Sequence, residues 1–492
     1  MATIAHWSAR VKDDLLGNPI VADVFSSEAI DRCCRSANHR WRASFWSPSI
    51  TLLTFLFQVL DAGKTLRAGV GLLLTQLAAR GQTDLPSCDP SAYCQARRRL
   101  PMEVAAALMR QVADGMRDLV SSTQGSSTQG KSTQGSSTQS ASAQSASAQS
   151  ALTPGWLGHR VWVVDGSTVS MPDTPALQKA FPQPSGQAAG CGFPAAQVVA
   201  LFCWTTGAIL DVVIDTIRPH ELTLFRRCWH HFRPGDVVLG DRAYGSYVDM
   251  VRLFQRGVFC VCRLHQRRKA DFRQGKRLGR DDQRVSWLKP ERWIPSCGID
   301  RDAFDRLPET LVVRLVRITH IPKGFRSQSI VVATTLLDPI DTPADEIRAL
   351  YRDRWTVELN LRSLKTALGM DVLRGQCPDV VRKEIAMHLL AYNLIRLVMW
   401  HAARQHGRDL HRLSFTGTLH RLRFALPTLI FQPDSPHHIQ LLRFLLAWIA
   451  ADTVPDRPNR IEPRRRKRRP KNYSVLTKPR HWYHTHRDPG AR

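Results

Sequence analysis

Apolar residues gather into helical stretches towards both ends of this chain and into short β-branched runs in its middle. Before residue 120, the segments 52–60, 65–79 and 90–99 each read as helices. Gly81 closes the second, and Asp89 followed by Pro90 opens the third. After residue 155 the pattern changes to strands. Residues 161–164 form a β-branched and aromatic run that ends at Asp165, and 198–204 and 209–214 are two more, joined by a Thr-Thr-Gly turn. A helical stretch over 221–232 follows. Then come Pro234-Gly235, a fourth strand over 237–239 running into Gly240-Asp241, and a fifth over 258–262.

Three strands on short turns, then strand–helix alternation, is the element order of a ribonuclease H-like α/β core. The composition over 264–338 differs: basic loops, then strand-like runs at 310–318 and 329–337, which read as a β-rich insertion. Helical patterning resumes near Thr342, continues through Leu368, and returns over 384–400. The expected organisation is a helical N-terminal DNA-binding domain (1–120) and a flexible linker (121–154). A catalytic core follows in two parts (155–263 and 341–405), interrupted by the insertion (264–340), and then a helical, basic C-terminal region (406–492). The linker rests on a degenerate five-residue repeat, SSTQGSSTQGKSTQG and onward. It has no apolar side chain large enough to offset the entropy of ordering.

Charge narrows the class. Lys plus Arg number 69 against 42 Asp plus Glu, a formal net charge of +27, which repels itself unless a polyanion neutralises it. The excess recurs in every segment rather than on one amphipathic helix, so nucleic acid fits better than a membrane surface. No apolar stretch approaches a membrane span. The 11 cysteines show no paired metal-ligand spacing, and with no secretory signal this favours reduced thiols in a cytosol.

The chemistry concentrates on the helix beginning ADEIRALYRDRWTVELNLRSLKTALGM. At about 100° per residue, Arg354, Glu358 and Lys365 fall within roughly 60° of Tyr351, while Leu350, Val357, Leu361, Leu364 and Leu368 form a neighbouring stripe suited to a sheet. Taken alone, Arg354 and Glu358 are an ordinary exposed i,i+4 pair, and Asp165 and Asp241 are ordinary turn formers or caps. Taken together, two strand-borne aspartates and a helix-borne glutamate can converge. Three such carboxylates repel in a site of reduced dielectric. A pair of divalent cations resolves that repulsion and supplies what phosphodiester chemistry needs.

The pattern Tyr351-x2-Arg354-x3-Glu358-x6-Lys365 resembles the signature of bacterial DDE transposases of the insertion-sequence-four family. VWVVDGSTVSMPD around Asp165 and VVLGDRAYGS around Asp241 resemble that family's two Asp motifs. SAYCQARRRLP and RPNRIEPRRRKRRPK resemble its flanking regions. The resemblance implies a ribonuclease H-like catalytic domain with a β-strand insertion before the Glu. It implies Mg²⁺ or Mn²⁺, two ions, at Asp165, Asp241 and Glu358. It implies cut-and-paste movement: nicking at element ends, attack by the freed 3′-hydroxyl and strand transfer into target DNA. Tyr351, Arg354 and Lys365 match positions that hold DNA phosphates near the cut. A homodimer pairing two ends, in the cytoplasm with the nucleoid, is implied in the same way. The repeat departs from the family pattern.

Two other readings stand beside this one: a structure-specific nuclease on the same fold, and a catalytically inactive DNA-binding derivative. Smaller features divide similarly. Arg97, Arg98 and Arg99 suit either phosphate contact or a solvated face, although the 80–89 connection is long for a helix-turn-helix. Trp287 and Trp293 suit base stacking or, better, packing of a small β-domain. The run RRRKRR at 464–469 is a polyanion-binding signal. His220-Glu221 opens a helix but has Leu224 where a zinc protease would need its second His. His481, His484 and His486 suit a frayed terminus better than a metal site. No Gly-rich phosphate cradle is present, so no nucleotide energy source is expected.

Overall fold

The computed structural model describes residues 27–125, 155–319, 329–431, 436–455 and 476–486. Its first helices are α1 (Ser27–Ser36), α2 (Pro48–Leu60), α3 (Leu66–Ala79), α4 (Ser91–Arg99) and α5 (Met102–Gly125). Their starts are written in the sequence. Ser47 accepts from Ile50 N at 3.4 Å ahead of Pro48, and Thr65 accepts from Ala68 N at 3.0 Å. Gly81 ends α3 at φ +79°, where a side chain would be strained. The three helices expected before residue 120 are present. Helix α5 carries its backbone through Gly125, so the first five residues expected in the linker are helical. The remainder, 126–154, lies outside the described residues.

Nine strands form one sheet in the order β3-β2-β1-β4-β5-β9-β8-β7-β6. Strand β2 (Ala195–Cys203) pairs antiparallel with both β1 (Val161–Ser170) and β3 (Ile209–Thr216). Strands β4 (Val237–Gly240) and β5 (Phe259–Arg263) run parallel to β1. The expected insertion supplies β6 (Lys276–Gly279), β7 (Asp282–Leu288), β8 (Thr310–Ile318) and β9 (Ile330–Thr334). These do not stand apart in space. Strand β9 pairs antiparallel with β5, so the insertion prolongs the core sheet and covers an edge of unpaired N–H and C=O groups.

Two further expectations change. Strand β1 continues five residues past Asp165, pairing with β2 as far as Ser170, so Asp165 lies inside a strand rather than at its end. The helix expected over 221–232 stops at Arg227, as α7 (Glu221–Arg227), and a 3₁₀ turn, Trp229–His231, completes it. Helices α6 (Pro175–Ala180), α8 (Tyr247–Gln255) and α9 (Arg301–Asp305) occupy other connections.

The segment read as one helix from 342 to 368 follows a helical path in three pieces: α10 (Ala344–Asp353), α11 (Trp355–Arg362) and a π-helical turn, Ser363–Ala367. Arg354, between the first two, keeps helical angles of φ −50° and ψ −30°. Helix α11 packs on β1. Behind it runs α12 (Pro378–Gln405), nearly all buried. Its Asn393 pairs like a strand with Ile209, accepting from Ile209 N and donating to Ile209 O, both at 2.8 Å. Helices α13 (Phe415–Phe431) and α14 (His438–Ala451) pack against α12, and a short α15 (Arg480–Thr485) lies near the end. The RRRKRR run lies outside the described residues. Among the described residues, no helix is long and apolar enough to cross a membrane.

Candidate active site

The sheet register brings the two aspartates together. Strands β1 and β4 pair in parallel as 161↔237, 162↔238 and 163↔239. Continuing that register two residues sets Asp165 beside Asp241, with neighbouring strands about 4.8 Å apart. The register is pinned at the far end of the pair. Asp236, only 2% exposed, accepts from Arg160 Nε and Nη2 at 2.7 Å each and from Trp162 Nε1 at 2.9 Å. Slipping β4 by one residue would break all three hydrogen bonds and turn Asp241 to the face opposite Asp165.

Backbone N–H groups orient each carboxylate. Asp165 Oδ1 accepts from Gly166 N at 2.9 Å, and Asp241 Oδ1 accepts from Ala243 N at 2.7 Å as it opens a 3₁₀ turn. Burial pushes the Asp165 carboxyl from 3.8 up to about 6. Gly166 N–H and Arg354 oppose the rise, while Glu358 and Asp241 add to it.

Helix α11 brings in Glu358, which lies within electrostatic reach of Asp165. Arg354 Nη2 donates to Glu358 Oε1 at 2.9 Å, and the guanidinium carbon stands 5.7 Å from the Tyr351 ring centre. Arg354 Nε is buried with no hydrogen-bond partner among the described residues. Lys365 leaves the π-helical turn to donate to Ser167 Oγ at 3.0 Å, two residues beyond Asp165 and on the same strand face. Tyr351, expected to hold DNA phosphate with Arg354 and Lys365, lies under the Arg354 guanidinium. It is only 6% exposed, below Arg354 and near Asp241, and burial pushes its phenol up to about 12.

A fourth carboxylate joins these. Glu221, the first residue of α7, interacts with both Asp165 and Asp241, and burial first, then those two charges, raise it from 4.5 to about 7. In the sequence it looked like half of an incomplete zinc motif. The one usable signal was its place in the first turn of the helix after β3, near the sheet end that carries the aspartates. Spacing along the chain could not show that it folds back onto β1.

Such a set suits cations. Four carboxylates share a partly desolvated region, where Arg354 pairs with Glu358 and only partly offsets the burial of Asp165. The arrangement is open. Among the described residues, the His, Cys, Asp and Glu group whose ligand atoms all lie within 4.8 Å is Asp211, His230 and His231, around a His231–Asp211 contact of 2.9 Å. Asp165, Asp241 and Glu358 do not form such a group, and Glu358 accepts from Arg354. Spacing for two ions about 4 Å apart is wider than a single-ion cluster requires.

Residues 156–394, which span every group above, match the transposase DDE domain. Transposase InsG for insertion sequence element IS4, from Escherichia coli strain K12, is 26% identical over 329 residues, covering 66% of this chain and 71% of that protein. These matches support a DDE transposase of the IS4 family. A solved piggyBac transposase synaptic complex with hairpin DNA aligns with 89% of this transposase and 86% of its own chain, at a TM-score of 0.41 and 10% identity. DDE transposases carry out metal-dependent DNA cleavage and strand transfer.

Several other candidate residues of this transposase are structural. Arg97 is buried, donates to Gln58 Oε1 at 3.2 Å and lies 4.9 Å over the Phe55 ring, whereas Arg98 and Arg99 are exposed. Trp287 is buried beneath the Arg268 guanidinium at 4.0 Å, and Trp293 Nε1 donates to Ile299 O at 2.9 Å, so both pack. His486 stacks on Trp482 with ring centres 4.6 Å apart.

Proposed function

We propose that this transposase moves an insertion sequence by cut-and-paste, using Asp165, Asp241 and Glu358 of a ribonuclease H-like core to hold two divalent ions, Mg²⁺ or Mn²⁺. The observation that carries this reading is the parallel β1–β4 register, which sets Asp165 beside Asp241 under the helix bearing Glu358. The order β3-β2-β1-β4-β5, three antiparallel strands then two parallel ones, supports the choice of core. When bound, the ions would supply an activated nucleophile and charge stabilisation on the leaving oxygen.

The chain's own groups do the holding. Backbone N–H groups of Gly166 and Ala243 fix one oxygen of each aspartate. Arg354 keeps a buried N–H without an acceptor among the described residues, which suits a phosphate oxygen entering the site. Lys365 presents a second positive charge from the strand side, beside Ser167. Tyr351 acts with them from beneath, its ring backing the Arg354 guanidinium. Arg98, Arg99 and the basic tail would meet DNA further from the cut. On this reading the partners are element ends and target DNA, and a homodimer pairs two ends.

The test is a joining reaction with the full chain, Mg²⁺, a labelled element-end duplex and a target plasmid. End-joined plasmid is the expected product. Nicks without joining would replace this reading with a nuclease. Binding without cleavage in both Mg²⁺ and Mn²⁺ would replace it with an inactive DNA-binding protein.

A further inference from the structure

We propose that Glu221 is a fourth carboxylate of the divalent-cation site, seated against the backbone of Gly166 beside the buried Tyr244 hydroxyl. The inference rests on the reading of Asp165, Asp241 and Glu358 as that site's ligands.

The seat is specific. A Cβ at position 166 would lie 1.4 Å from Glu221 Oε1, 2.4 Å from its Cδ and 2.8 Å from its Cγ. The Glu221 side chain therefore fills the volume that any residue other than glycine would claim on β1, immediately after Asp165. Side chains alternate along a strand, so Glu221 reaches β1 at the face opposite the one where Lys365 meets Ser167. The β1–β4 pairing ends at Val163, which leaves that edge of β1 open, and Glu221 lies within electrostatic reach of both Asp165 and Asp241.

An acidic residue in the first turn of a helix is common, because the helix N-terminus favours negative charge. That ordinary explanation does not account for Glu221. His220, not Glu221, caps α7, its ring nitrogen accepting from Leu222 N at 3.3 Å. The Glu221 carboxylate turns instead to Asp165 and Asp241, two charges of its own sign, and takes no hydrogen bond or ion pair among the described residues. A structural carboxylate placed among like charges would need a cation or a donor to hold it there.

Tyr244 supplies the second observation. It is 1% exposed, and its hydroxyl has no hydrogen-bond partner among the described residues. The charges nearest in effect to that hydroxyl are Glu221 first, then Asp165 and Asp241. A buried donor left open beside an uncommitted acceptor is costly to a fold, and it marks groups kept for a ligand. The Gly166–Glu221–Tyr244 arrangement holds a carboxylate ready while leaving its oxygens uncommitted.

The experiment measures Mn²⁺ binding to the full chain without DNA, by the loss of the free-ion electron paramagnetic resonance signal. It is paired with thermal melting in EDTA. Glu221→Gln should weaken Mn²⁺ binding about tenfold or more. Its metal-free melting temperature should equal or exceed that of the native chain, because one of the repelling charges is gone. Gly166→Ala should weaken binding similarly in the native background and add little to Glu221→Ala, since the two changes disturb one contact. Tyr244→Phe should weaken binding less than Glu221→Gln. If Glu221→Gln and Gly166→Ala bind Mn²⁺ like the native chain while Asp165→Asn does not, the Glu221 assignment is wrong and the three-carboxylate reading stands. If Asp165→Asn also binds like the native chain, that underlying reading fails as well. A lower metal-free melting temperature for Glu221→Gln with unchanged Mn²⁺ binding would make Glu221 structural and overturn the proposal.

Discussion

Arg354 Nη2 donates to Glu358 Oε1 at 2.9 Å, with 14% of the arginine side chain and 38% of the glutamate side chain exposed. An exposed pair at this spacing contributes only tenths of a kcal/mol. Here the cation is mostly covered, keeps a second N–H unused and faces Asp165. Removing it should therefore affect chemistry more than folding. Arg354→Ala is expected to slow end cleavage by about 10²-fold, the usual loss for one preorganised donor, with end binding reduced far less. Arg354→Lys keeps the charge but loses the fork of N–H groups, and should recover only part of the rate. Single-turnover cleavage alongside a gel-shift titration separates the two effects.

Lys365 and Ser167 form a smaller device. Ser167 accepts from Lys365 Nζ at 3.0 Å and so aims the ammonium along β1. Lys365→Ala should weaken end-DNA binding and make its salt dependence shallower by about one phosphate contact. Ser167→Ala should leave the salt slope unchanged, because the charge remains. Binding isotherms at several salt concentrations decide it.

The acidic cluster should leave a mark on stability in the absence of metal. Asp165 is raised to about 6 and Glu221 to about 7, so the folded chain holds these protons more tightly than the unfolded chain. Their stabilising contribution is complete below the ordinary carboxylate range and is lost as pH rises through 6 to 7. In EDTA, the native chain should lose melting temperature between pH 5 and pH 8 relative to an Asp165→Asn, Glu221→Gln double variant. Mn²⁺ should close the gap. Parallel melting curves in EDTA would show that the cluster does not cause the effect.

Asp236 offers a test of the register argument that leaves the carboxylates intact. It accepts from Arg160 and Trp162 where β1 meets β4. Asp236→Ala should destabilise the fold by about 2–3 kcal/mol, the range for hydrogen bonds to a charged group. Part of the arginine can turn to solvent, which keeps the loss from being larger. Denaturant unfolding measures this loss.

What the sequence revealed and what it hid follow from the range of the forces involved. Strands β1 to β5 and the helices around Leu56, Leu73 and Leu390 were visible because β-branched runs, caps and apolar stretches act over a few residues. The acidic pair and Glu358 were recognisable because residue types and spacing coincided on one helix face. The attachment of β9 to β5 was hidden, because pairing across about 70 residues leaves no local periodicity. Glu221 was hidden for the same reason: its meaning depends on the absent side chain of Gly166, more than 50 residues earlier. Arg97 reads as basic surface in sequence and is core in the structure, because Gln58 and Phe55, on another helix, accept and cover it.

The most direct test of metal ligation by Asp165 and Asp241 replaces each with cysteine and compares cleavage in Mg²⁺ with cleavage in Mn²⁺. A thiolate ligand suits Mg²⁺ poorly and tolerates Mn²⁺ better. Asp165→Cys and Asp241→Cys should be inactive in Mg²⁺ and regain measurable end cleavage in Mn²⁺, while corresponding alanine variants stay inactive in both. Cysteine variants that cleave equally well with either ion, or alanine variants that cleave at all, would contradict the assignment of these two residues to the metal site.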